Sequence, residues 1–282
     1  MKLSHIITIV VALLLIGVLY FFGDITPSKS AVSAAQGDGH SEGDGHVHAA
    51  SWDSIYVAAR SRMAEHALQD IEHQDQKVFA AGDSSAMVPA FDSLTKIWIG
   101  HRELLVGAYY QMLSAKLVNS EKKLNFAAQF FLELLQLKSI EPGERLWCAQ
   151  QAISGLSKSL ELNPNNDTTQ LALAVAYIEG TGETMSGVQE LLTITRENPN
   201  HIAANLMLGQ MSIQSGQFDK AVGRLETILK QEPNNREALF FLAEAYKGLG
   251  DKAKAISILE KVKAIVNNPD FSKDIDDYIK TF

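Results

Sequence analysis

One pattern returns three times in the second half of the chain: Leu173-Ala174-x2-Tyr177, Leu208-Gly209-x2-Ser212 and Leu242-Ala243-x2-Tyr246. From Leu173 to Leu208 is 35 residues and from Leu208 to Leu242 is 34, and a second set, Gly187, Ala221 and Ala255, steps by 34 each time. Each of that second set is followed four residues later by a leucine: Leu191, Leu225 and Leu259. Pro164-Asn165-Asn166, Pro199-Asn200 and Pro233-Asn234-Asn235 punctuate the period. A fixed period of this length marks a supersecondary unit stacked on copies of itself, because one such unit cannot bury its own apolar face. The small residues let two helices approach closely, and the leucines and tyrosines fill the space between them. Residues 167–201, 202–235 and 236–268 therefore read as three helix-turn-helix units. Gly216 and Gly250 end first helices, where a left-handed residue is favoured. The unit 167–201 departs from the pattern: Gly180-Thr181-Gly182 makes a turn one residue longer, and Gly187 stands where alanine is expected. Glycine there is expected to loosen its helix by about 0.5–1 kcal/mol.

The pattern resembles the tetratricopeptide repeat (TPR), a unit of L-G-x2-Y, then A-x3-F, then a closing proline. The resemblance implies an all-α fold, a TPR α-α superhelix or solenoid. On the same register two further units extend the array to 87–268. In 121–166, Leu124, Ala127, Ala128 and Phe131 take first-helix places, and Ala152, Leu156 and Pro164 take second-helix places once the junction around 139–144 is lengthened. Glu141-Pro142-Gly143-Glu144 is a turn signal, so an elongated first helix and a longer loop are expected there. In 87–120, Val106, Tyr110 and Leu113 fill second-helix places, while Ser93-Leu94 and Ile97 replace the usual first-helix residues. Upstream, 51–86 reads as an N-terminal helical segment. Within it 52–80 is expected as one helix, capped by Ser51 or Asp53, with Ile55, Ala59, Met63, Ala67 and Ile71 at three-to-four spacing. Residues 269–282 alternate charged and apolar side chains as a capping helix would.

The N-terminus adds a different element. Residues 6–23 carry no charge and are about long enough to span a bilayer core, and Tyr20, Phe21 and Phe22 close the run at interface height. A cleaved signal is the competing reading, through Ser33-Ala34-Ala35. That site lies far beyond an apolar run longer than a usual signal core, so a retained transmembrane helix in 1–23, an uncleaved signal-anchor, is favoured. Lys2 precedes the span, which places the N-terminus in the cytoplasm and the repeats outside it. A single-pass inner-membrane protein with its repeats in the periplasm follows if the chain is bacterial. Residues 24–50 are glycine-rich and polar, a flexible linker. Its His40, His46 and His48 are candidate metal ligands, but they match no defined site, and a solvated spacer is the plainer reading. Glu65-His66 and Glu72-His73 do not form H-E-x-x-H, and solvent-facing histidines are expected.

A formal net charge of −8 argues against a nucleic-acid binder. The one cysteine, Cys148, allows no internal disulfide and reads as a small core residue. Phosphate-loop, nucleophile-elbow and zinc-protease signatures are absent from the sequence, so no enzyme and no cofactor are expected. By the resemblance, function lies in a concave groove lined by first helices. Its candidates are Leu171, Val175, Ile178, Leu206, Gln210, Ile213, Gln214, Phe240, Glu244 and Lys247. The family's clamp for chaperone C-terminal carboxylates is missing, because those places hold Leu171, Val175, Met207 and Phe241. The expected partner is instead an apolar peptide or amphipathic helix of another protein. A membrane-anchored scaffold or adaptor in assembly, secretion or maturation of envelope proteins is the resulting reading. The alternatives are a self-associating envelope scaffold and a metal-handling protein using the His-rich linker.

Overall fold

The computed structural model describes residues 47–282, and every regular element among them is helical. The expected span 6–23 and the candidate ligands His40 and His46 lie outside the described residues. Among the described residues, no helix is long and apolar enough to cross a membrane. Thirteen helices follow one another: α1 (Trp52–Ser61), α2 (Glu65–Ala80), α3 (Ser84–Gly100), α4 (Leu104–Val118), α5 (Glu121–Leu135), α6 (Pro142–Leu162) and α7 (Asp167–Val175). The last of these runs into a π-helical turn at Ala176–Thr181. Then come α8 (Thr184–Glu197), α9 (Ile202–Gln214), α10 (Phe218–Gln231), α11 (Arg236–Gly248), α12 (Lys252–Val266) and α13 (Pro269–Ile279). From α3 to α12 each helix packs against the one before and the one after, a TPR-type superhelix of pairs α3/α4, α5/α6, α7/α8, α9/α10 and α11/α12.

The punctuating residues turn out to be caps. Asn166 Oδ1 accepts from the Thr169 amide at 3.0 Å, and Asn235 Oδ1 from the Ala238 amide at 2.9 Å. In the unit between them His201 takes the same role, its Nδ1 accepting from the Ala204 amide at 3.1 Å. Each cap satisfies one of the amides that a helix N-terminus leaves without an intrahelical partner. At the other end of the first helices, Gly216 and Gly250 adopt φ of +72° and +80°. The amide after each glycine reaches back into the last turn, Gln217 to Ser212 O at 2.7 Å and Asp251 to Tyr246 O at 2.9 Å, which is the closing bond of a Schellman motif.

Three expectations are corrected. The helix expected over 52–80 is two helices, broken at Arg62, Met63 and Ala64. A straight helix of that length would reach about 43 Å at 1.5 Å per residue. The break lets α1 pack on α4 while α2 packs on α3, so both cover the first pair. Arg62 fixes the corner with two bonds to the Glu103 carboxylate, at 2.7 and 2.6 Å. Second, the extra residues of 121–166 lengthen the second helix: α5 ends at Leu135 and α6 runs for 21 residues. Glu141-Pro142-Gly143-Glu144 is a helix start, with Pro142 in the first turn and the Glu144 carboxylate accepting from the Glu141 amide at 3.1 Å. The end of the expected linker lies against this start, where the Ala50 amide donates to Gly143 O at 2.8 Å.

Third, the additional residue in unit 167–201 is absorbed by the wide turn at Ala176–Thr181, inside the helix. A π turn is the way a helix takes in one residue without breaking. Gly187 then has a steric role. A Cβ at that position would meet the Ala174 carbonyl oxygen at 2.8 Å and Ile178 Cγ1 at 2.5 Å. Both neighbours belong to the segment entering the wide turn, so α8 needs glycine to pass it.

The core is a file of clusters, each shared by neighbours. The largest joins α1 to α7 around Trp98, Phe131, Leu124 and Trp147. Leu191, Ile194 and Leu208 join α8 to the next unit, Leu225, Ile228 and Leu242 join the following two, and Leu259 and Ile275 join α12 to α13. Cys148 is 0% exposed, and burial pushes its thiol up to about 12.

Three predictions follow from these packings. Gly187→Ala should lower stability by about 1–2 kcal/mol in a thermal melt, since overpacking exceeds the gain in helix propensity. Gly223→Ala, in α10 with nothing within 4 Å of the added carbon, should raise it by about 0.5–1 kcal/mol. Cys148 should resist thiol reagents in the native chain and react only as the fold opens, so its labelling rate in denaturant should track loss of helical circular dichroism.

Candidate functional site

The first helices α5 and α7 are separated by an open cleft of about 380 Å³. Its walls come from Gln129, Leu132, Glu133, Leu135 and Gln136 at one side and Thr168, Leu171, Ala172, Val175 and Glu179 at the other. The floor is aliphatic and the rim is carboxamide and carboxylate. Gln136 Nε2 donates to Glu179 Oε2 at 3.4 Å, and Gln129 Nε2 donates to Glu133 Oε1 at 3.5 Å. α5 and α7 are also joined lower down. There the Asn125 amide donates to Thr169 Oγ1 at 2.8 Å, and Glu121 accepts from Asn163 and Asn166 at 3.0 and 2.5 Å. Those bonds join the N-terminal ends of the two helices, and at the far ends the Gln136–Glu179 bond spans the rim.

The expected groove residues divide into four sets. Leu171 and Val175 line this cleft. Leu171 also packs, with Ile178, into the cluster shared with the following unit, and Leu206 and Ile213 do the same one unit on. Those four are half-buried and hold neighbouring units together. Gln210 and Gln214 are exposed on α9.

The fourth set, Phe240, Glu244 and Lys247, meets α13. Tyr278 Oη donates to Glu244 Oε1 and accepts from Lys247 Nζ at 2.8 Å. The Lys247 ammonium lies 4.2 Å from the Tyr278 ring centre and 4.4 Å from that of Phe282, close enough for cation–π attraction. Burial and the Glu244 carboxylate hold the Tyr278 phenol above its ordinary pKa. Phe240 packs against Phe271 and Tyr278 and borders a cavity of about 680 Å³ with Asn234, Asn235, Arg236, Val262 and Val266. α13 thus covers Glu244 and Lys247 in part, while Phe240 stays open to the cavity beside it.

Gln129, Leu132 and Glu133 were not among the expected residues. The register carries the signal for them: Ala128 and Phe131 stand 46 positions before Ala174 and Tyr177, so Gln129 and Leu132 correspond to Val175 and Ile178. Among the described residues no group of three or more His, Cys, Asp or Glu side chains is placed to hold a metal ion. His48, His66 and His73 are exposed.

Comparison with known proteins agrees with this architecture. The tetratricopeptide repeat family matches at residues 188–236 and 212–273. Cellulose synthase operon protein C of Pseudomonas fluorescens (strain SBW25) is 30% identical over 112 residues, which is 40% of this chain and 9% of that protein. The alignment thus spans less than a tenth of that relative's length. Two crystal structures of MamA superpose with a TM-score of 0.50. One is 16% identical and covers 66% of this chain and 93% of its own, and the other is 17% identical and covers 62% and 95%. At that identity the likeness is one of fold. The chain carries tetratricopeptide repeats, an architecture consistent with a protein-interaction scaffold.

Tyr278→Phe removes the hydroxyl that joins Glu244 to Lys247. The half-buried carboxylate then loses a donor, and amide protection across residues 269–279 should fall by about tenfold in hydrogen exchange. Protection in α5 and α7 should not change.

Proposed function

We propose that this chain is a non-enzymatic adaptor that captures an apolar segment of a partner protein on its first-helix face and is held at a membrane by residues 6–23. The observation that carries the reading is the open aliphatic cleft between α5 and α7, in an array where α9 packs on α11 and α13 covers part of α11. Side chains that line the cleft offer floor and rim. Shape and apolar area are what such a site supplies to a peptide or helix.

The anchor and linker give the mechanism its economy. A binding face tethered at a membrane meets a membrane-associated partner at high effective concentration, so modest affinity is enough. The charge asymmetry about the span supports a cytoplasmic N-terminus. In a bacterium the array would then work in the periplasm, on assembly, secretion or maturation of envelope proteins.

Photoreactive residues at Gln129 and Gln210 in the full chain, expressed in its own host, test this. A common partner should crosslink at both positions and not at Gly223, which lies on the second helix α10. Equal capture at Gly223, or none at Gln129 and Gln210, would sink the reading.

A further inference from the structure

The cleft between α5 and α7 is one-sided in charge. Of its lining residues, Glu133 and Glu179 are ionisable, they are exposed, and they stand on opposite walls. Lysine and arginine are missing from the lining. Arg145, which touches the backbone of a lining residue, is already committed, since its guanidinium donates to the carbonyls of Leu135 and Leu137. The whole chain carries −8, so the long-range field has the same sign as the cleft.

A second observation concerns how one of these carboxylates is held. Glu179 belongs to the π-helical turn at Ala176–Thr181, where unit 167–201 takes in its additional residue. Wide turns of this kind are frequent at functional sites. The turn is closely supported: a Cβ on Gly180 would meet Ala149 Cβ at 2.4 Å, and one on Gly187 would meet the Ala174 carbonyl oxygen at 2.8 Å. Two glycines thus let α6 and α8 close on the segment that carries Glu179, which fixes its backbone at the rim.

From the aliphatic floor and the two opposed carboxylates, we infer that the cleft accepts a partner segment in which one or two large aliphatic residues are flanked on both sides by lysine or arginine. The aliphatic side chains enter between Leu132, Leu135, Leu171 and Val175. The flanking cations meet Glu133 on one wall and Glu179 on the other. Rim charges of this sort set specificity and association rate more than depth of binding, and an acidic segment is repelled at both ends. This inference rests on the first-helix face being a protein-binding surface, and it names the chemistry of what is bound.

A phage-displayed random peptide library selected on the full chain separates the two claims. The expected outcome is enrichment of aliphatic segments flanked by basic residues. Binding of the enriched peptides should weaken about three- to tenfold in the double variant Glu133→Gln/Glu179→Gln and fall as salt is raised. Val175→Asp, checked for native helicity by circular dichroism, should abolish it. If enriched peptides are lost with Val175→Asp yet lack basic residues and ignore the double variant, the charge inference is wrong and the groove reading stands. If peptides ignore both variants, or none is enriched, both fail.

Discussion

Ala174, Gly209 and Ala243 are buried at the point where each first helix meets its second helix, and Ala221 and Ala255 are fully buried opposite two of them. The close approach of paired backbones at these small residues is the contact on which the array depends. It brings Leu191, Leu225 and Leu259 into complete burial. At Gly209 the margin is small, since even a Cβ would lie 3.2 Å from Leu225. Because a pair buries only one of its faces, the remaining apolar surface must go to a neighbour, and Leu171, Ile178, Leu206 and Ile213 show where it goes. Stability and binding therefore compete for the same side chains on the first helices.

That competition explains why the open surface lies where it does. Between α9 and α11 the first helices touch, through Leu206 and Ile213 against Ala238, Phe241 and Leu242. Between α5 and α7 the long second helix α6 intervenes, packing on the wide turn as well as on α7 itself. The hydrogen-bonded junction of Glu121, Asn163 and Asn166 holds one end of the two first helices, and α6 and the wide turn set their separation at the other. Of the irregular features of the chain, the added residue in the α7 segment brings Glu179 to the cleft, while the lengthened α6 and Gly187 pack against that segment from behind. In a repeat array regular units are interchangeable, so a binding preference has to come from such departures.

Much of this was legible in the sequence, and the limits have physical causes. The period set by Leu173, Leu208 and Leu242 gave the helix pairs because the length of one stacked unit is a constraint that each of its neighbours must also satisfy. The break at Arg62, Met63 and Ala64 was not legible, since these residues carry no helix-breaking signal and the corner is imposed by packing on α3 and α4 with Arg62 bound to Glu103. Pro142 and Gly143 read as a turn because the same residues open helices and loops, and the Glu144 bond to the Glu141 amide decides between them. The added residue near Gly180 was visible, but a loop and a π turn have the same length in sequence. Of the groove candidates, Leu171 and Val175 line the cleft, while their counterparts in α5 were overlooked because residues 121–166 match the repeat weakly.

The C-terminal helix shows what occupancy of the first-helix face requires. α13 places Phe271, Ile275, Tyr278 and Phe282 against Phe240, Lys247 and Leu259, as the first helix of another unit would. It does so with an aliphatic or aromatic contact at the centre and charge at the edges: Lys263 bonds Asp276, Lys247 bonds Tyr278, and Tyr278 bonds Glu244. The chain thus contains its own example of a helix held on this face by an apolar stripe with compensated charges beside it. The α5/α7 cleft presents the same kind of stripe with its two carboxylates bonded to glutamine amides and no cation in the lining. A ligand that supplied the missing cations would repeat there the arrangement that α13 already makes within the fold, and would do so without displacing any element of the array.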